Sequence, residues 1–412
     1  MNAEIIAVGS ELLTPARLDT NSLFLTAQLN DLGIEVVQKT VIGDDRVRLT
    51  AIVRTSLDRC QIVILTGGLG PTEDDVTREA VAAALGRELV FHPEIVDAIE
   101  RRFRRMGRKM AEINKRQAYV IAGAEPLAND NGTAPGQWIE DAGRVVMLLP
   151  GPPPELNPMF IRDCLPRLQR LVPPLAIRTL VFRVAGMPES DLDQLISPVY
   201  KQYENPVTTI LAAPGDIQIH LRARSAAAEE AERLVAELGG RIEPLLGERI
   251  YSRNGDPLEV VVGAGLRERS ATLSVAESCT GGLLAGRITE VPGSSDYFAG
   301  GFLVYSDRMK TDLLGVEPGL LAEHGAASEP VAEAMARGAA HRMGSTFALS
   351  VTGVAGPGGG SDSTPVGTVC IGLAHPRGCD TRRFRFLGDR GRVRALAVQT
   401  ALDILRRKLL QP

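Results

Sequence analysis

Lysine is scarce in this chain: six residues against forty arginines, in a total of 46 basic and 50 acidic side chains with a formal net charge of −4. A balance this even excludes a protein built mainly to neutralise nucleic-acid phosphates. Cysteine is scarce too. Cys60, Cys164, Cys279, Cys370 and Cys379 are odd in number and never closer than nine residues. Such scatter excludes a disulfide framework and a zinc ribbon. The five histidines are equally dispersed and form no HExxH pattern, which removes the usual zinc hydrolase. No apolar run approaches the ~18 residues needed to cross a bilayer. The opening Met1-Asn2-Ala3-Glu4 carries no basic leader before a strand-like run, so a cytoplasmic protein without membrane contact is expected. Aromatic residues make up 4% of the chain, and the one tryptophan, Trp138, reads as a packing residue.

What is present has the size of an enzyme. The 412 residues, 44% hydrophobic and 23% charged, suggest two or three globular domains. Up to about residue 172 the pattern alternates strand and helix. Strands are predicted at 5–8, 36–42, 62–65 and 145–149, with helices at 21–32, 76–85 and 93–105. The run Ile62-Val63-Ile64-Leu65 is apolar throughout, as a buried parallel strand should be. Residues 173–252 read as a small α+β unit with strands at 180–184, 208–212 and 217–222 and helices at 190–197 and 226–238. Residues 253–412 return to alternation, with strands at 273–276, 302–305, 347–351 and 366–373 and helices at 283–289, 329–342 and 393–409. The expected fold is α/β: two three-layer domains with mostly parallel sheets, joined by a small α+β domain.

In the first domain the densest stretch is Thr66-Gly67-Gly68-Leu69-Gly70-Pro71-Thr72-Glu73-Asp74-Asp75, between a strand and a helix. A glycine loop at the carboxyl end of a strand lets backbone N–H groups approach an anion. The carboxylates that follow would repel phosphate unless a cation lies between them. Asp74 and Asp75 are therefore candidates for a divalent metal bridging to a pyrophosphate, with Asp44-Asp45 as additions. The plainer alternative is that Thr72 to Asp75 cap a helix.

In the last domain Glu277-Ser278-Cys279-Thr280-Gly281-Gly282 offers three nucleophiles in a row where a strand gives way to a helix. Spacing does not choose among them. Lys310, in a chain that otherwise uses arginine, suggests a task arginine cannot perform, such as giving up a proton when buried. Tyr305 lies five residues earlier and can relay a proton. The loop Gly353-Val354-Ala355-Gly356-Pro357 and the arginines of Gly388-Asp389-Arg390-Gly391-Arg392-Val393-Arg394 suit a phosphorylated ligand. The basic run from Arg101 to Lys109 reads as the solvated face of a helix, so nucleic acid is not expected as a partner.

Gly9-Ser10-Glu11-Leu12-Leu13, Asp19-Thr20-Asn21-Ser22, the Thr66 to Asp75 loop, Gly132-Thr133-Ala134-Pro135-Gly136 and Leu149 to Glu155 occur in an order that resembles the competence/damage-inducible CinA family. Glu277 to Gly282, Gly293-Ser294-Ser295, Tyr305-Ser306, Ser328-Glu329-Pro330 and Pro365 to Thr368 extend the resemblance over nearly the whole chain. One departure is Thr14-Pro15, where the family commonly has a leucine- and glycine-containing stretch.

The resemblance implies a molybdopterin-binding-like first domain with metal-dependent ADP-ribose pyrophosphatase activity. Its ligand-binding residues would be Gly9, Glu11, Asn21, Asp44, Thr66, Gly67, Gly68, Gly70, Pro71 and Thr72. The metal would be magnesium, manganese or cobalt on Asp74 and Asp75, with potassium as a further candidate. The middle domain would be KH-like. The last domain would be a nicotinamide mononucleotide amidohydrolase that needs no metal, with Ser278 as nucleophile and Tyr305 and Lys310 as its partners. Cys279, Thr280, Gly281, Gly282, Gly353, Ala355, Gly356 and Arg390 would bind substrate. In that scheme Lys310 takes the serine proton and amides near Thr280 to Gly282 hold the oxyanion. A homodimer is also implied. Two rivals follow from the same residues: a first domain that binds a pterin or nucleotide without cleaving it, and a partner protein in DNA uptake or repair.

Overall fold

A computed structural model of the chain describes residues 1–173 and 175–411. Pro174, beside the expected 172/173 boundary, and Pro412, at the end of the expected third domain, lie outside the described residues. The described chain separates into two compact units, Met1–Ile177 with Arg224–Ala228, and Arg178–Ala223 with Glu229–Pro412.

The first unit begins with β1 (Asn2–Val8), α1 (Asn21–Asp31), β2 (Glu35–Ile42), α2 (Arg46–Arg59), β3 (Ile62–Thr66) and α3 (Thr77–Leu85). It continues through β4 (Leu89–Phe91), α4 (Pro93–Arg105), β5 (Tyr119–Ile121), β6 (Glu125–Leu127), β7 (Gly136–Asp141), β8 (Arg144–Leu149), α5 (Pro153–Met159) and α6 (Leu165–Leu171). The main sheet has the order β2-β1-β3-β8-β7-β6. Its β2-β1-β3-β8 part is parallel and its β8-β7-β6 edge antiparallel.

Alternation explains why the central strands are apolar throughout. Ile5, Ile62, Ile64 and Met147 pack toward Leu25 and Leu29 of α1 and Leu156 of α5. Their neighbours Ile6, Val63, Leu65 and Val146 pack toward Leu49 and Val53 of α2 and Val81 of α3. Each fully buried Ile, Leu or Val contributes roughly 1.5–3 kcal/mol, so both faces are held. Trp138 is buried in the first of these layers, as a packing residue should be.

The second unit begins with β9 (Ala176–Val184), α7 (Glu189–Tyr200), β10 (Val207–Ala213), β11 (Asp216–Ser225), α8 (Ala228–Leu246) and β12 (Ile250–Ser252). These form a KH-like domain whose sheet runs β10-β11-β9-β12. Then come α9 (Leu258–Glu268), β13 (Leu273–Glu277), α10 (Leu283–Thr289), β14 (Phe298–Leu303), α11 (Asp307–Leu314) and α12 (Pro318–His324). The chain closes with α13 (Glu329–Met343), β15 (Phe347–Gly353), β16 (Thr368–His375), β17 (Gly378–Arg385) and α14 (Arg390–Leu409). The last sheet, β14-β13-β15-β16-β17, is parallel across β14-β13-β15 and antiparallel beyond. Helices α9, α10 and α14 cover one face and α13 the other.

Two corrections bear on the sites. The strand expected at 302–305 runs from Phe298 to Leu303, so Tyr305 lies beyond it, on the approach to α11. The chain also forms α2, where no helix is expected from the arginine-rich stretch. Leu49, Val53, Ser56 and Leu57 give that helix a buried stripe.

Both sheets reverse their direction of winding at one place. From β1 the chain goes to β2 on one side and β3 on the other; from β13 it goes to β14 on one side and β15 on the other. Loops leaving the carboxyl ends of strands at such a switch point diverge and leave a crevice, where ligands bind in open α/β sheets.

Candidate functional sites

At the first switch point lies a cavity of about 980 Å³, lined by the loops after β1, β3 and β8 and by the start of α1. Gly9, Glu11, Asn21, Asp44, Thr66, Gly67, Gly68, Gly70, Pro71, Asp74 and Asp75 all line it. Thr72, the remaining residue expected there, is not among the lining residues and donates to Asp75 within the loop.

The loop after β3 is tightly built. Gly67 and Gly68 have φ values of +92° and +65°, and a Cβ on Gly68 would stand 2.2 Å from Thr77 Oγ1. Thr77 Oγ1 in turn donates to the Gly67 carbonyl at 2.9 Å. Arg78, only 1% exposed, donates to the carbonyls of Leu69 (2.6 Å) and Gly70 (2.9 Å). Burial lowers the pKa of this guanidinium. Arg78 was missed by sequence reasoning. The signal available was an arginine at the second position of a helix that follows a glycine loop.

Asp75 does not serve as a free metal ligand. One carboxylate oxygen accepts from the Gly70 amide at 2.8 Å, and the other accepts from the amide and hydroxyl of Thr72. Asp45 is likewise occupied, capping α2 through the amides of Val47 and Arg48. Asp44 accepts from the Ser10 amide at 2.8 Å. Asp74 keeps its place on the cavity wall, and the nearby Thr72 side chain holds its carboxyl below the usual range. Among the described residues, no three His, Cys, Asp or Glu side chains gather into a metal-binding group. The donors present are hard carboxylate oxygens, led by Asp74 and Glu11. They fit a divalent cation carried largely by a substrate's phosphates and water, and they do not fit a closed protein cage. Asn21 donates to the Gly151 carbonyl at 2.7 Å, while its buried Oδ1 has no partner among the described residues.

At the second switch point, β13 ends in Glu277, which is 1% exposed. Its carboxylate accepts from the amides of Gly282 (3.1 Å), Leu284 (3.0 Å) and Ala285 (2.8 Å), so it caps α10 from within. Between strand and helix, Ser278 donates its amide to Val351 of β15 at 2.9 Å. The Gly281 amide donates to the Ser278 carbonyl at 3.1 Å. These bonds commit the Gly281 and Gly282 amides expected to face an oxyanion. The amides of Cys279 and Thr280 have no such partner among the described residues. Cys279 is buried, and burial pushes its thiol up to about 11, which leaves it a poor nucleophile at neutral pH.

Lys310 is 1% exposed at the first turns of α11, with Nζ donating to Asp307 Oδ1 at 3.1 Å. Tyr305 is exposed, and its hydroxyl accepts from Arg390 Nη2 at 3.0 Å. Arg390 also reaches the Gly356 carbonyl at 2.9 Å. The structure thus joins Tyr305, Arg390 and Gly356 by direct bonds. It does not hydrogen-bond Ser278 to Tyr305 or Lys310. Gly353 ends β15, the neighbour of the nucleophile strand, and Ala355 is buried just beyond it. Arg394, one of the arginines expected to face a phosphorylated ligand, donates its guanidinium to the Thr280 carbonyl at 2.6 Å.

Fold and sites together define a multidomain α/β protein with a ligand-sized crevice at one switch point, a Ser-Cys-Thr turn at the other, and a KH-like domain between them in sequence. Three family models match in sequence order: a probable molybdopterin binding domain over 4–170, the damage-inducible protein CinA KH domain over 179–252, and the CinA C-terminal domain over 255–409. A CinA-like protein of Solibacter usitatus is 63% identical over 99% of this chain and 98% of its own length. A putative competence-damage inducible protein of Caldicellulosiruptor bescii is 43% identical over the full length of both chains. Among solved structures, a competence/damage inducible protein of Agrobacterium tumefaciens is 40% identical over 37% of this chain and 94% of its own, with a TM-score of 0.37. The chain belongs to the CinA family.

Proposed function

We propose that the C-terminal domain hydrolyses the carboxamide of nicotinamide mononucleotide to nicotinate mononucleotide and ammonia. The observation that carries this reading is Ser278, held at the end of β13 beside two uncommitted amides, in a domain whose nearest thiol is protonated by burial. Ser278 Oγ attacks the carboxamide carbon and its proton passes to Lys310 Nζ, directly or through Tyr305. The amides of Cys279 and Thr280 receive the oxyanion. The C–N bond breaks as the leaving nitrogen takes that proton, releasing ammonia, and water then cleaves the acyl-serine ester. Asp307 must release Nζ for this role. Arg390 supplies a guanidinium for the substrate phosphate. The test is ammonia release from nicotinamide mononucleotide. Wild type and Cys279→Ala should release it, while Ser278→Ala and Lys310→Ala fall by at least about 10²-fold. Full activity in Ser278→Ala would refute the assignment.

For the N-terminal domain we infer a metal-dependent ADP-ribose pyrophosphatase. The glycine loop offers backbone amides to phosphate, and Asp74 with Glu11 would hold a divalent cation, which supplies charge neutralisation at the pyrophosphate. The commitment of Asp75 to its own loop favours a second reading, a nucleotide- or pterin-binding module without hydrolysis. Release of AMP from ADP-ribose with magnesium, manganese or cobalt supports the first; tight binding without AMP release supports the second.

A further inference from the structure

The charged lining of the N-terminal cavity is one-sided. Glu11, Asp19, Asp44, Asp74, Asp75 and Glu155 contribute carboxylates, and Arg17 is the one cationic side chain among the described lining residues. A pyrophosphate entering this crevice meets like charge. Even a single divalent cation leaves an excess of negative groups. Backbone amides of the glycine loop help at one wall, but they carry no net charge.

Several arginines of the same unit are held in carboxylate pairs: Arg87 with Asp141, Arg167 with Glu125, Arg59 with Glu4. Arg17 is exposed on the lining it shares with six acidic residues, and it forms no ion pair or hydrogen bond among the described residues. The residues on either side of it are bonded: Thr14 Oγ1 donates to the Glu11 carbonyl at 2.7 Å, and Asp19 accepts from the Ser22 amide at 3.0 Å. Between them Arg17 lines the cavity with its donor fork uncommitted. A planar fork of five N–H groups matches two oxygens of a phosphate.

We propose that Arg17 is the specificity-determining residue of this cavity: it recognises the phosphate oxygens of a nucleoside diphosphate-type ligand and makes an otherwise acidic crevice selective for anions. The proposal rests on reading the cavity as a phosphoanion site, and it deepens that reading by assigning ligand selection to a residue outside the glycine loop.

The experiment is calorimetric titration of the full chain with ADP-ribose and with inorganic pyrophosphate, each with and without magnesium, for wild type, Arg17→Ala and Arg17→Lys. Thermal unfolding of each variant checks folding. Loss of a bidentate charged contact should weaken binding about 10-fold or more in Arg17→Ala. Arg17→Lys, which keeps charge but not the fork, should fall between. The salt dependence of binding should be shallower in Arg17→Ala than in wild type. Wild-type affinity in a folded Arg17→Ala overturns the proposal. If wild type binds pyrophosphate in an Arg17-dependent way but not ADP-ribose, the pyrophosphatase reading fails while the role of Arg17 stands. Binding of neither ligand by wild type overturns both.

Discussion

Replacing Glu277 by glutamine tests how the nucleophile turn is held. The carboxylate is buried and receives three amides, two on Oε2 and one on Oε1. Glutamine has one carbonyl oxygen. It can keep the Gly282 and Leu284 bonds and lose Ala285, or keep Ala285 and lose the other pair. Either way its NH2 group faces a buried N–H it cannot accept from, at about 1–3 kcal/mol per orphaned donor. Removing the negative charge from the N-terminus of α10 adds roughly 0.5–2 kcal/mol. The sum is about 1.5–5 kcal/mol for an isosteric change. For a unit of this size each kcal/mol corresponds to ~2–4 °C, so the transition of the second unit in a calorimetric scan should fall by about 3–20 °C. Amide hydrolysis should fall with it even below that transition, because Ser278 and the Cys279 and Thr280 amides stand between strand and cap. A Glu277→Gln variant that melts within about 1 °C of wild type and keeps its turnover would refute the reasoning.

Gly68→Ala puts a methyl 2.2 Å from Thr77 Oγ1 at a φ of +65°, so the Thr77 bond to the Gly67 carbonyl must break. A loss of about 2–4 kcal/mol in the first unit is expected, with weaker ADP-ribose binding, checked by calorimetry on the same sample. The buried thiols make the protein sensitive to alkali. Burial raises Cys279 and Cys370 to about 11 and Cys164 to about 12, above the unfolded value near 9. Their contribution is complete below pH 9 and is lost as pH rises toward 11, up to roughly 2–3 kcal/mol per thiol. Melting temperature should therefore drop between pH 9 and 10.5, and less steeply in Cys279→Ala.

The parallel heart of each α/β sheet was legible because both faces of β1, β3 and β13 are covered, which favours short, largely apolar runs such as Ile5 to Val8 and Ile62 to Leu65. The antiparallel edges were not. Strands β6 and β17 mix proline, arginine and threonine with apolar residues and are recognisable chiefly by their pairing to β7 and β16. Helix α2 was hidden by its arginines, although Asp45 at its start is an ordinary capping residue; the same aspartate was read as a metal ligand because it follows Asp44. The glycine loop itself stood out, since positive φ values restrict Gly67 and Gly68. What sequence could not show is which carboxylates the loop consumes. Asp75 and Asp74 are adjacent, chemically alike and both on the cavity wall, and only the fold commits Asp75 to the Gly70 and Thr72 amides.

The imbalance between arginine and lysine acquires a structural meaning at these loops. Arg78 holds the carbonyls of Leu69 and Gly70, Arg390 the carbonyl of Gly356, and Arg394 the carbonyl of Thr280. In each case a guanidinium ties down backbone beside a glycine, where the chain lacks side chains to fix itself. A fork with several fixed donors can bind a carbonyl and still face a ligand, as Arg390 does by reaching Gly356 and Tyr305 together. An ammonium on a flexible stem is less suited to that bracing. Lys310 does none of it: among the described residues its amine donates to an exposed carboxylate, and its stem is buried. Under the proposed mechanism the exchangeable proton, not the positive charge, is what would set lysine apart from arginine at this position, because a serine nucleophile requires a base that can take its proton.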